Sequence, residues 1–213
     1  MTDVAEYYKN VRSDILPLIP DRAERVLDVG CGAGNTLAWL RTIRDIRWAG
    51  GVELHADAAA SARCKLDVVF TEDIEHFALP IEEGTLDLIL CLDILEHLVD
   101  PWAAVKRFQR LLRPGGTLIA SLPNVRNKRV VFPLLFKGKW EYRDFGVLDR
   151  THLRFFTRES AMNMLESAGL SIDGVEVTGG FTRGVIGRAL RAVLPEFIQT
   201  FLIRQYIFKG IRT

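Results

Sequence analysis

The sequence has few cysteines and no long apolar run. Its three cysteines, Cys31, Cys64 and Cys91, are an odd number without a C-x-x-C spacing among 213 residues. This argues against a disulfide framework and against a cysteine-rich zinc site. No apolar stretch approaches the ~18 residues that a membrane span requires, and the first residues, MTDVAEYYKN, do not have the pattern of a signal peptide. We therefore expect a cytoplasmic protein that meets a membrane only at its surface.

The chain also has little excess charge, with 28 Lys and Arg residues against 27 Asp and Glu residues. This balance gives no broad positive field, so we expect no nucleic-acid partner. The charge is uneven, because residues 181–213 carry six basic residues and one acid, a net +5, and the other 180 residues sum to −4. Within this tail, residues 183–200 form a basic amphipathic segment. It suits peripheral contact with an anionic inner membrane face, or equally a helix packed on the sheet.

Short apolar runs alternate with segments in which apolar residues recur at helical spacing. The predicted strands are residues 25–30, 46–54, 66–70, 86–92, 117–122, 170–178 and 201–209, and the predicted helices are residues 35–43, 57–65, 101–112 and 158–168. This alternation predicts an α/β fold with a doubly wound, mostly parallel sheet and helices on both faces. Ligands of such folds bind beyond the carboxyl ends of the strands.

The first predicted strand leads into a glycine-rich turn, DVGCGAG, with glycines at positions 30, 32 and 34. Glycines let the chain turn sharply and let a ligand lie against the backbone. A dinucleotide turn of the G-x-G-x-x-G type would need glycine at position 35, where this chain has Asn35. In addition, the carboxylate of Asp28 repels a pyrophosphate and attracts an ammonium or sulfonium group. The turn therefore favours a partly cationic ligand, with an NAD-binding oxidoreductase as the alternative.

Two acids follow the turn at the ends of later strands. Glu53 comes about 20 residues on, at the position from which a carboxylate accepts hydrogen bonds from ribose hydroxyls. Its alternative is a solvated acid at a strand end. Asp73, beyond the third strand, can meet an adenine amino group or cap a helix. Together with the glycine turn, Glu53 predicts an adenosine-containing ligand.

The runs VLDVGCGAGNTLAWL, GVEL, EDIEHF, LDLILCLDILEHLVDP and LLRPGGTLIASLPN occur in this order. They resemble class I S-adenosylmethionine-dependent methyltransferases, a group that includes ubiquinone-type O-methyltransferases and many sugar and polysaccharide methyltransferases. The resemblance covers about residues 25–178. It implies a Rossmann-like sheet of seven strands whose last strand is antiparallel, and S-adenosylmethionine as the cofactor. The cofactor-binding residues that it implies are Asp28, Gly30, Cys31, Gly32, Glu53, Leu54, Asp73, Ile74 and Leu92. An N-terminal cap helix can add Tyr8 or Arg12 at the cofactor's carboxylate, or it can simply cover the sheet edge.

Methyl transfer needs a close in-line approach in a dry pocket more than strong acid–base chemistry, because the sulfonium already carries its charge. What remains is removal of the acceptor's proton, which a histidine near its ordinary pKa of about 6.5 can perform. His97 follows the fourth strand, and His152 lies in an aromatic segment near the predicted mouth of the site. Both are candidate catalytic residues. The alternatives are that His97 shapes the cofactor pocket and that His152 ties the aromatic segment to the sheet.

Related quinone O-methyltransferases bind a divalent metal through a carboxylate and a histidine after the fourth strand, which would correspond here to Glu96 and His97. This pair supplies only two ligands, and Asp93 and Asp100 are as easily helix caps as ligands. From the sequence we therefore expect no metal.

Residues 123–157 break the alternating pattern and are rich in aromatic and basic residues. They resemble the acceptor region of bacterial methyltransferases linked to cell-surface polysaccharide and nucleotide-sugar pathways. Aromatic faces suit sugar rings, and arginine suits phosphates. Trp140, Tyr142 and Arg154 are the candidate exposed substrate residues, although aromatic residues here can also simply pack the segment onto the sheet.

These features predict one domain over residues 1–213. It divides into a cap helix (1–24), a cofactor-binding core (25–122), a substrate lid (123–157), and C-terminal helices and strands with the basic tail (158–213). The predicted function is methyl transfer to a small-molecule or glycan hydroxyl, on a sugar, nucleotide sugar or lipid-linked saccharide of polysaccharide biosynthesis. Methylation of a quinone precursor and non-catalytic binding of S-adenosylmethionine remain as alternatives. No Asn-Pro-Pro-Tyr-like run follows the fourth strand, which argues against nucleic-acid methylation.

Overall fold

The computed structural model describes residues 11–179 and 195–213. The strands are β1 Arg25–Val29, β2 Trp48–Val52, β3 Val68–Phe70, β4 Leu86–Leu92, β5 Leu112–Pro123, β6 Leu170–Gly179 and β7 Ile203–Arg212. The α-helices are α1 Asn35–Leu40, α2 Ala56–Arg63, α3 Pro101–Leu111, α4 Lys128–Lys137, α5 Arg158–Ser167 and α6 Glu196–Gln199. Two 3-10 helices, Ser13–Leu18 and Leu95–His97, complete the described elements.

The seven strands form one sheet in the order β3-β2-β1-β4-β5-β7-β6. The first five strands pair in parallel, whereas β7 runs antiparallel to both of its neighbours, β5 and β6. The structure therefore confirms the predicted seven-stranded Rossmann-like sheet and its antiparallel last strand. Since the order reverses between β1 and β4, the carboxyl ends of these strands are where ligands of such sheets bind.

The apolar run of β4 shows why the sheet is covered on both faces. Leu88 and Leu90 point into one buried cluster, with α1 and α2, while Ile89 and Cys91 point into the other, with α3 and α5. Because side chains alternate along a strand, a strand buried on both sides is apolar on both faces, as β4 is from Leu88 onward.

Local signals set the ends of the long helices. Pro101 occupies the first turn of α3, where no hydrogen bond is lost, and Asp100 caps that helix by accepting a hydrogen bond from the N–H of Ala103 at 3.0 Å. Thr157 and Ser160 form a capping box at the start of α5.

The structure differs from the predictions at two places. Helix α4 lies inside residues 123–157, where we predicted no regular element. Strand β5 begins at Leu112, so the Pro-Gly-Gly turn lies within its irregular first part, where Gly115 has a φ of +74°. Of the predicted cap helix (1–24), residues 1–10 lie outside the described residues, and the remainder contains the 3-10 helix Ser13–Leu18. Of the predicted basic helix (183–200), residues 183–194 lie outside the described residues, and the remainder contains α6. None of the helices in residues 11–179 and 195–213 is long and apolar enough to cross a bilayer.

Candidate functional site

The carboxyl ends of β1 to β5 lie along one edge of the sheet, and the predicted site residues follow these ends. The glycine turn comes after β1, Glu53 after β2, Asp73 after β3, and Glu96 with His97 after β4. The parallel pairing of the five strands thus brings together residues that are up to seventy positions apart in the chain.

The glycine turn after β1 has a backbone that only glycine adopts readily. Gly30, Gly32 and Gly34 have φ values of +73°, +55° and +74°. The N–H groups of Gly30 and Cys31 both donate to the carbonyl of Val52, at 2.8 and 3.0 Å. A Cβ atom at Gly30 would lie 3.2 Å from the side chain of Ile94. The turn is therefore held against β2, and a side chain at Gly30 would both crowd Ile94 and strain the backbone.

Glu53 braces this turn from the end of β2. Its Oε2 accepts a hydrogen bond from the N–H of Gly32 at 2.8 Å, and its Oε1 accepts one from the N–H of His55 at 2.9 Å. The carboxylate is buried. Each carboxylate oxygen has a second lone pair, so Glu53 can accept two ligand hydroxyls while it keeps both backbone contacts.

Asp28 lies beneath the turn and is also buried. Burial, followed by the charge of Glu53, raises the pKa of its carboxyl to about 7, while Arg12 acts in the opposite direction. A buried carboxylate with a raised pKa gains most from a cation placed beside it. This arrangement fits the ammonium or sulfonium group that the sequence predicted.

The other residues predicted to bind the cofactor have varied environments. Leu54 is 62% exposed directly after Glu53, and the Asp73 carboxylate caps a turn by accepting from the N–H of Glu75 at 2.9 Å. The side chain of Ile74 is buried in the core, and Leu92 is half-buried at the end of β4. Tyr8 lies outside the described residues.

The thiol of Cys31 is buried under the turn. A Cβ atom at Gly51 would lie 2.6 Å from its Sγ. Burial and the nearby carboxyl of Asp28 raise the pKa of the thiol well above its ordinary value. Since its thiol is buried, Cys31 contributes its backbone, and not its side chain, to the edge of the site.

A cluster of three ionisable side chains lies after β4. Glu96 is 1% exposed, and neither of its carboxylate oxygens has a hydrogen-bond partner within the described part of the chain. Its Oε1 lies 4.0 Å from Nε2 of His152. The rings of His97 and His152 meet edge to face, with centroids 4.7 Å apart. The structure thus brings both predicted catalytic histidines together with the acid that the sequence analysis paired with His97.

The two imidazole rings are held by backbone carbonyls. Nδ1 of His97 lies 3.2 Å from the carbonyl oxygen of Thr151, and Nδ1 of His152 lies 3.0 Å from that of Val147. A carbonyl only accepts, so each Nδ1 carries the hydrogen and, in the neutral ring, each Nε2 keeps a free lone pair. Both histidines can therefore accept a proton or bind a ligand through Nε2.

Burial changes the acidity of this cluster. It raises the pKa of the Glu96 carboxyl well above its ordinary value, with a further contribution from Asp93. Burial and the neighbouring His152 lower the pKa of His97. Perturbed groups at a strand edge are typical of functional sites.

Residues 138–157, which we call the acceptor segment because of the resemblance described above, are attached to this cluster through the backbone. The N–H groups of Leu153 and Arg154 donate to the carbonyl oxygen of Glu96, at 2.8 and 3.0 Å. The guanidinium of Arg154 also donates from Nε to the carbonyl of Val99 at 3.0 Å, so this side chain is half-buried instead of free as expected. Trp140 is half-buried too, with its ring 5.3 Å from that of Phe155, whereas Tyr142 is 50% exposed.

The sequence analysis missed a polar network beside this cluster. Asp93 has a φ of +56°, which is unusual for a residue other than glycine. Its N–H donates to Oγ of Ser121 at 3.0 Å, and its carboxylate accepts from Arg12 and Gln205. The sequence shows only that an acid comes directly after β4. It does not show the network, because Arg12 and Gln205 lie 81 and 112 positions away from Asp93 in the chain.

Residues 3–174 match the family described as methyltransferase domain. The chain is 28% identical over 163 residues to the ubiquinone biosynthesis O-methyltransferase of Acinetobacter baylyi, an alignment that covers 69% of this chain and 66% of the relative. It is 30% identical over 136 residues to a 37.1 kDa protein of a Streptomyces fradiae transposon, covering 62% of this chain and 39% of that protein. The chain therefore spans under two thirds of the length of each relative.

Several solved structures share the fold. An S-adenosylmethionine-dependent methyltransferase from Archaeoglobus fulgidus is similar at a TM-score of 0.68 and 18% identity, covering 93% of this chain and 90% of that one. One from Mesorhizobium loti is similar at 0.64 and 18%, covering 93% and 96%. The [4+2]-cyclase SpnF is similar at 0.63 and 19%, covering 93% and 77%. The cyclase illustrates that the fold alone does not fix the reaction.

Proposed function

The chain belongs to the S-adenosylmethionine-dependent methyltransferase family, and from this premise we propose that it methylates a hydroxyl group of a sugar, nucleotide sugar or lipid-linked saccharide. One observation carries the choice of acceptor. The segment with exposed aromatic and basic side chains is attached by its backbone to Glu96, so it adjoins both candidate catalytic histidines.

The residues after β1 and β2 suit the methyl donor. The glycine turn presents backbone without side chains, Asp28 offers a negative charge to the donor's cationic groups, and Glu53 offers carboxylate oxygens to its ribose. When bound, S-adenosylmethionine supplies an electrophilic methyl group and leaves as S-adenosylhomocysteine. The protein's task on this side is to hold the donor and exclude water.

The cluster after β4 suits proton removal from the acceptor. Nε2 of His152 has a free lone pair in the neutral ring and can take the proton. The carboxyl of Glu96 lies 4.0 Å away, and the positive charge of an imidazolium formed there would favour the ionised form of that carboxyl, against the effect of its burial. His97, whose pKa is lowered, stays neutral beside it. We propose His152 as the proton acceptor for the attacking oxygen and His97 as its neighbour on the acceptor side.

The acceptor segment offers the contacts that a phosphorylated sugar needs. Tyr142 and Phe145 are exposed aromatic residues, and Lys139 and Arg143 are exposed cations in the same stretch. Aromatic faces pack against sugar rings, and cations pair with phosphates. This combination favours a nucleotide sugar or a lipid-linked phosphosugar over an uncharged small molecule.

Helix α4 gives the lipid-linked form of the acceptor a place to dock. Leu135 and Phe136 are 69% and 74% exposed, and the helix is flanked by the exposed cations Lys128, Lys137 and Lys139. Apolar side chains beside cations suit the interface of an anionic bilayer. We propose that this face, rather than the basic segment near the C-terminus alone, brings the protein to the membrane surface.

The second candidate is O-methylation of a quinone precursor. It is favoured by the ubiquinone biosynthesis O-methyltransferases, which match 69% of the chain at 28% identity. A phenol loses its proton more readily than a sugar hydroxyl and needs no phosphate contacts. The exposed cations of the acceptor segment would then have no role in binding.

A direct test incubates the full chain with S-adenosylmethionine and three acceptor groups: nucleotide sugars, lipid-linked phosphosugars and quinone-precursor phenols. Mass spectrometry then detects products that have gained one CH2. We expect turnover of a phosphorylated sugar, and we expect Tyr142→Ala to raise its KM several-fold while kcat changes little. Phe197→Ala, at another exposed aromatic residue, is the matched control.

If only the phenols are methylated, the sugar acceptor is rejected and O-methylation of a quinone precursor is supported. Tight binding of the donor without turnover of any acceptor in the panel, or of a cell extract, would indicate a binding module that has lost catalysis.

A further inference from the structure

Arg12 connects two parts of the sheet edge that are distant in the sequence. Its backbone contacts the helix that follows the glycine turn, and its side chain contacts the residue directly after β4. We propose that Arg12 is a positioning residue, which fixes the residues after β4 at a set distance from the glycine turn. The inference rests on the proposed function, because the two parts are those to which we assign the acceptor and the methyl donor.

The first contact lies on the side of the glycine turn. The backbone N–H of Arg12 donates to Oγ1 of Thr36 at 3.2 Å. Thr36 is buried at the second position of α1, two positions after Gly34, the last glycine of the turn. Arg12 also directly precedes the 3-10 helix Ser13–Leu18, in which Ile15 is fully buried. The backbone of Arg12 is therefore held against α1 from one side and against the core from the other.

The second set of contacts lies after β4. The guanidinium of Arg12 donates to the carboxylate of Asp93, to Oγ of Ser121 at 3.3 Å and to Oε1 of Gln205 at 3.2 Å. Its Nε and Nη2 also donate to the two oxygens of Asp14, at 2.9 and 3.0 Å, a paired contact that fixes the plane of the guanidinium. The side chains of Arg12 and Asp93 are only 20% and 28% exposed. They therefore belong to a partly buried network, which holds its members more firmly than an isolated surface ion pair does.

The backbone of Asp93 depends on such support. Its φ of +56° lies in the left-handed region, which residues other than glycine rarely adopt and which persists only where the surroundings hold it. The N–H of Asp93 is bound to Ser121, and its carboxylate is bound to Arg12 and Gln205. At this residue the chain leaves β4 and turns toward the 3-10 helix Leu95–His97. The conformation of Asp93 therefore sets where that helix and its ionisable side chains lie.

The charge of Arg12 acts on both parts of the edge as well. Burial raises the pKa of two carboxyls, that of Asp28 beneath the glycine turn and that of Glu96 after β4. The positive charge of Arg12 opposes this rise at both carboxyls. The electrostatic effects thus agree with the hydrogen bonds, since one guanidinium lies near enough to act on an acid of each part.

Methyl transfer is sensitive to the alignment that these contacts set. The methyl group passes in line from the sulfonium to the attacking oxygen, so donor and acceptor must be held at contact distance, and a misplacement of about 1 Å can cost about 100-fold in rate. The role that we assign to Arg12 is exerted through Thr36 and Asp93 and requires no contact with the reacting atoms. Direct binding of the donor's carboxylate by Arg12 is the alternative that the sequence left open.

The test compares Arg12→Gln, Arg12→Lys and, as the matched control, Arg22→Gln, which changes an exposed arginine ten positions further on. Each variant keeps the backbone contact with Thr36. Both changes at Arg12 remove the paired guanidinium contacts, so each should lower kcat about tenfold with whichever acceptor is methylated. At about pH 8.5, where the carboxyl of Asp28 is ionised, the donor Kd measured by calorimetry should stay within about threefold in all variants. Arg22→Gln should behave as the unchanged chain does.

The pH dependence of donor binding gives a readout that a merely structural role would not move. Burial and then the charge of Glu53 raise the pKa of Asp28, and Arg12 lowers it. Arg12→Gln should therefore move the rise in donor affinity to higher pH, whereas Arg12→Lys, which keeps the charge, should leave it in place. The nearby thiols of Cys31 and Cys91 stay neutral in this range because burial raises their pKa values.

Three results would overturn the inference. In the first, Arg12→Gln weakens the donor Kd tenfold at about pH 8.5 and leaves kcat unchanged, which would assign Arg12 to the donor's carboxylate. In the second, Arg12→Gln behaves as Arg22→Gln does. In the third, Arg12→Lys restores kcat in full, because the charge alone would then be sufficient.

Amide hydrogen exchange of residues 94–98, measured by mass spectrometry on the same samples, does not depend on an acceptor. Exchange there should be faster in Arg12→Gln than in Arg22→Gln, and equal exchange would overturn the inference. If exchange changes as expected but no acceptor is methylated by the unchanged chain, only the proposed function fails. If Arg12→Gln does not fold, as judged by circular dichroism, Asp93→Asn replaces it and must show both the loss of kcat and the faster exchange.

Discussion

The two halves of the sheet edge are built in different ways. On the side that we propose binds the donor, called the donor side, the turn after β1 is braced by β2 through the carbonyl of Val52 and by the carboxylate of Glu53. On the side that we propose binds the acceptor, called the acceptor side, Oε1 of Glu96 lies 4.0 Å from Nε2 of His152, which is 56 positions further along the chain. The donor side is thus formed by residues that follow two adjacent parallel strands and lie close together in the sequence. The acceptor side forms only when residues 138–157 pack against the residues that follow β4.

The comparison teaches where specificity can vary. We expect a change in residues 138–157 to alter the acceptor without disturbing the glycine turn, because, among the described residues, we observe no hydrogen bond between the turn or Glu53 and residues 138–157. Functional loops on a rigid scaffold commonly behave in this way. In the first predictions below, a residue on one side of the sheet edge is substituted, and the effect on turnover or on donor affinity is measured.

The largest effect is expected on the acceptor side. His152→Ala should lower kcat by about 100-fold or more, because the residue proposed to take the acceptor's proton is lost. The donor Kd, measured by calorimetry, should stay within about twofold. A large change in the donor Kd would show that the two halves are not separate.

The next effect is expected on the donor side. Glu53→Ala should weaken donor binding by on the order of tenfold or more, because charge-assisted hydrogen bonds to the ligand are lost together with those that brace the turn. Glu53→Gln keeps one oxygen and should lose less. Glu83→Ala, which changes an exposed acid before the start of β4, is the matched control. An unchanged Kd in Glu53→Ala would remove this residue from the site.

A smaller effect should follow pH. The pKa of Asp28 is raised to about 7, so its carboxyl is mainly protonated below that pH and ionised above it. Because a cationic ligand binds the ionised form, donor affinity should rise several-fold between about pH 5.5 and about pH 7. Glu53 and Arg12 are the charged groups that act on Asp28, and neither changes this sign. Calorimetry on Asp28→Asn should show weaker binding and a much flatter pH profile. A profile as steep as that of the unchanged chain would rule out Asp28 as the source.

The smallest effect should lie outside both halves. Phe136→Ser on α4 should reduce binding to vesicles that contain anionic lipid by about two- to threefold, because one exposed apolar side chain is lost. Neutral vesicles should bind weakly in either case. Ile43→Ser, at an exposed apolar residue far from α4 in the chain, should leave sedimentation with vesicles unchanged. If the two variants behave alike, α4 is not the docking face.

The same contrast explains what the sequence could predict. The strands of the parallel half and the glycine turn follow from short contiguous patterns, since apolar runs and glycine spacing are visible in a single window. Helix α4 was missed because it contains Pro133, which usually ends or kinks a helix, and because its apolar residues are mostly exposed and so form no buried stripe.

The cluster after β4 was beyond such patterns for another reason. Nothing near Glu96 indicates that His152 will lie beside it, because that contact depends on how residues 138–157 fold back over the edge. The positive φ of Asp93 was equally hidden, since it is held by Ser121 and Gln205 from two other strands. Contacts between residues so far apart in the sequence can be identified only once the fold is known.

The position of β7 has a consequence for the order of assembly. This strand comes last of the seven in the chain but lies between β5 and β6, and its Tyr206 and Phe208 are buried. While the chain emerges from the ribosome, β5 therefore remains an open edge and β6 has no neighbour until residues 203–212 arrive. The sheet can close only after β7 has been synthesised. A nascent chain that stops before β7 therefore exposes apolar surface that can aggregate or bind chaperones.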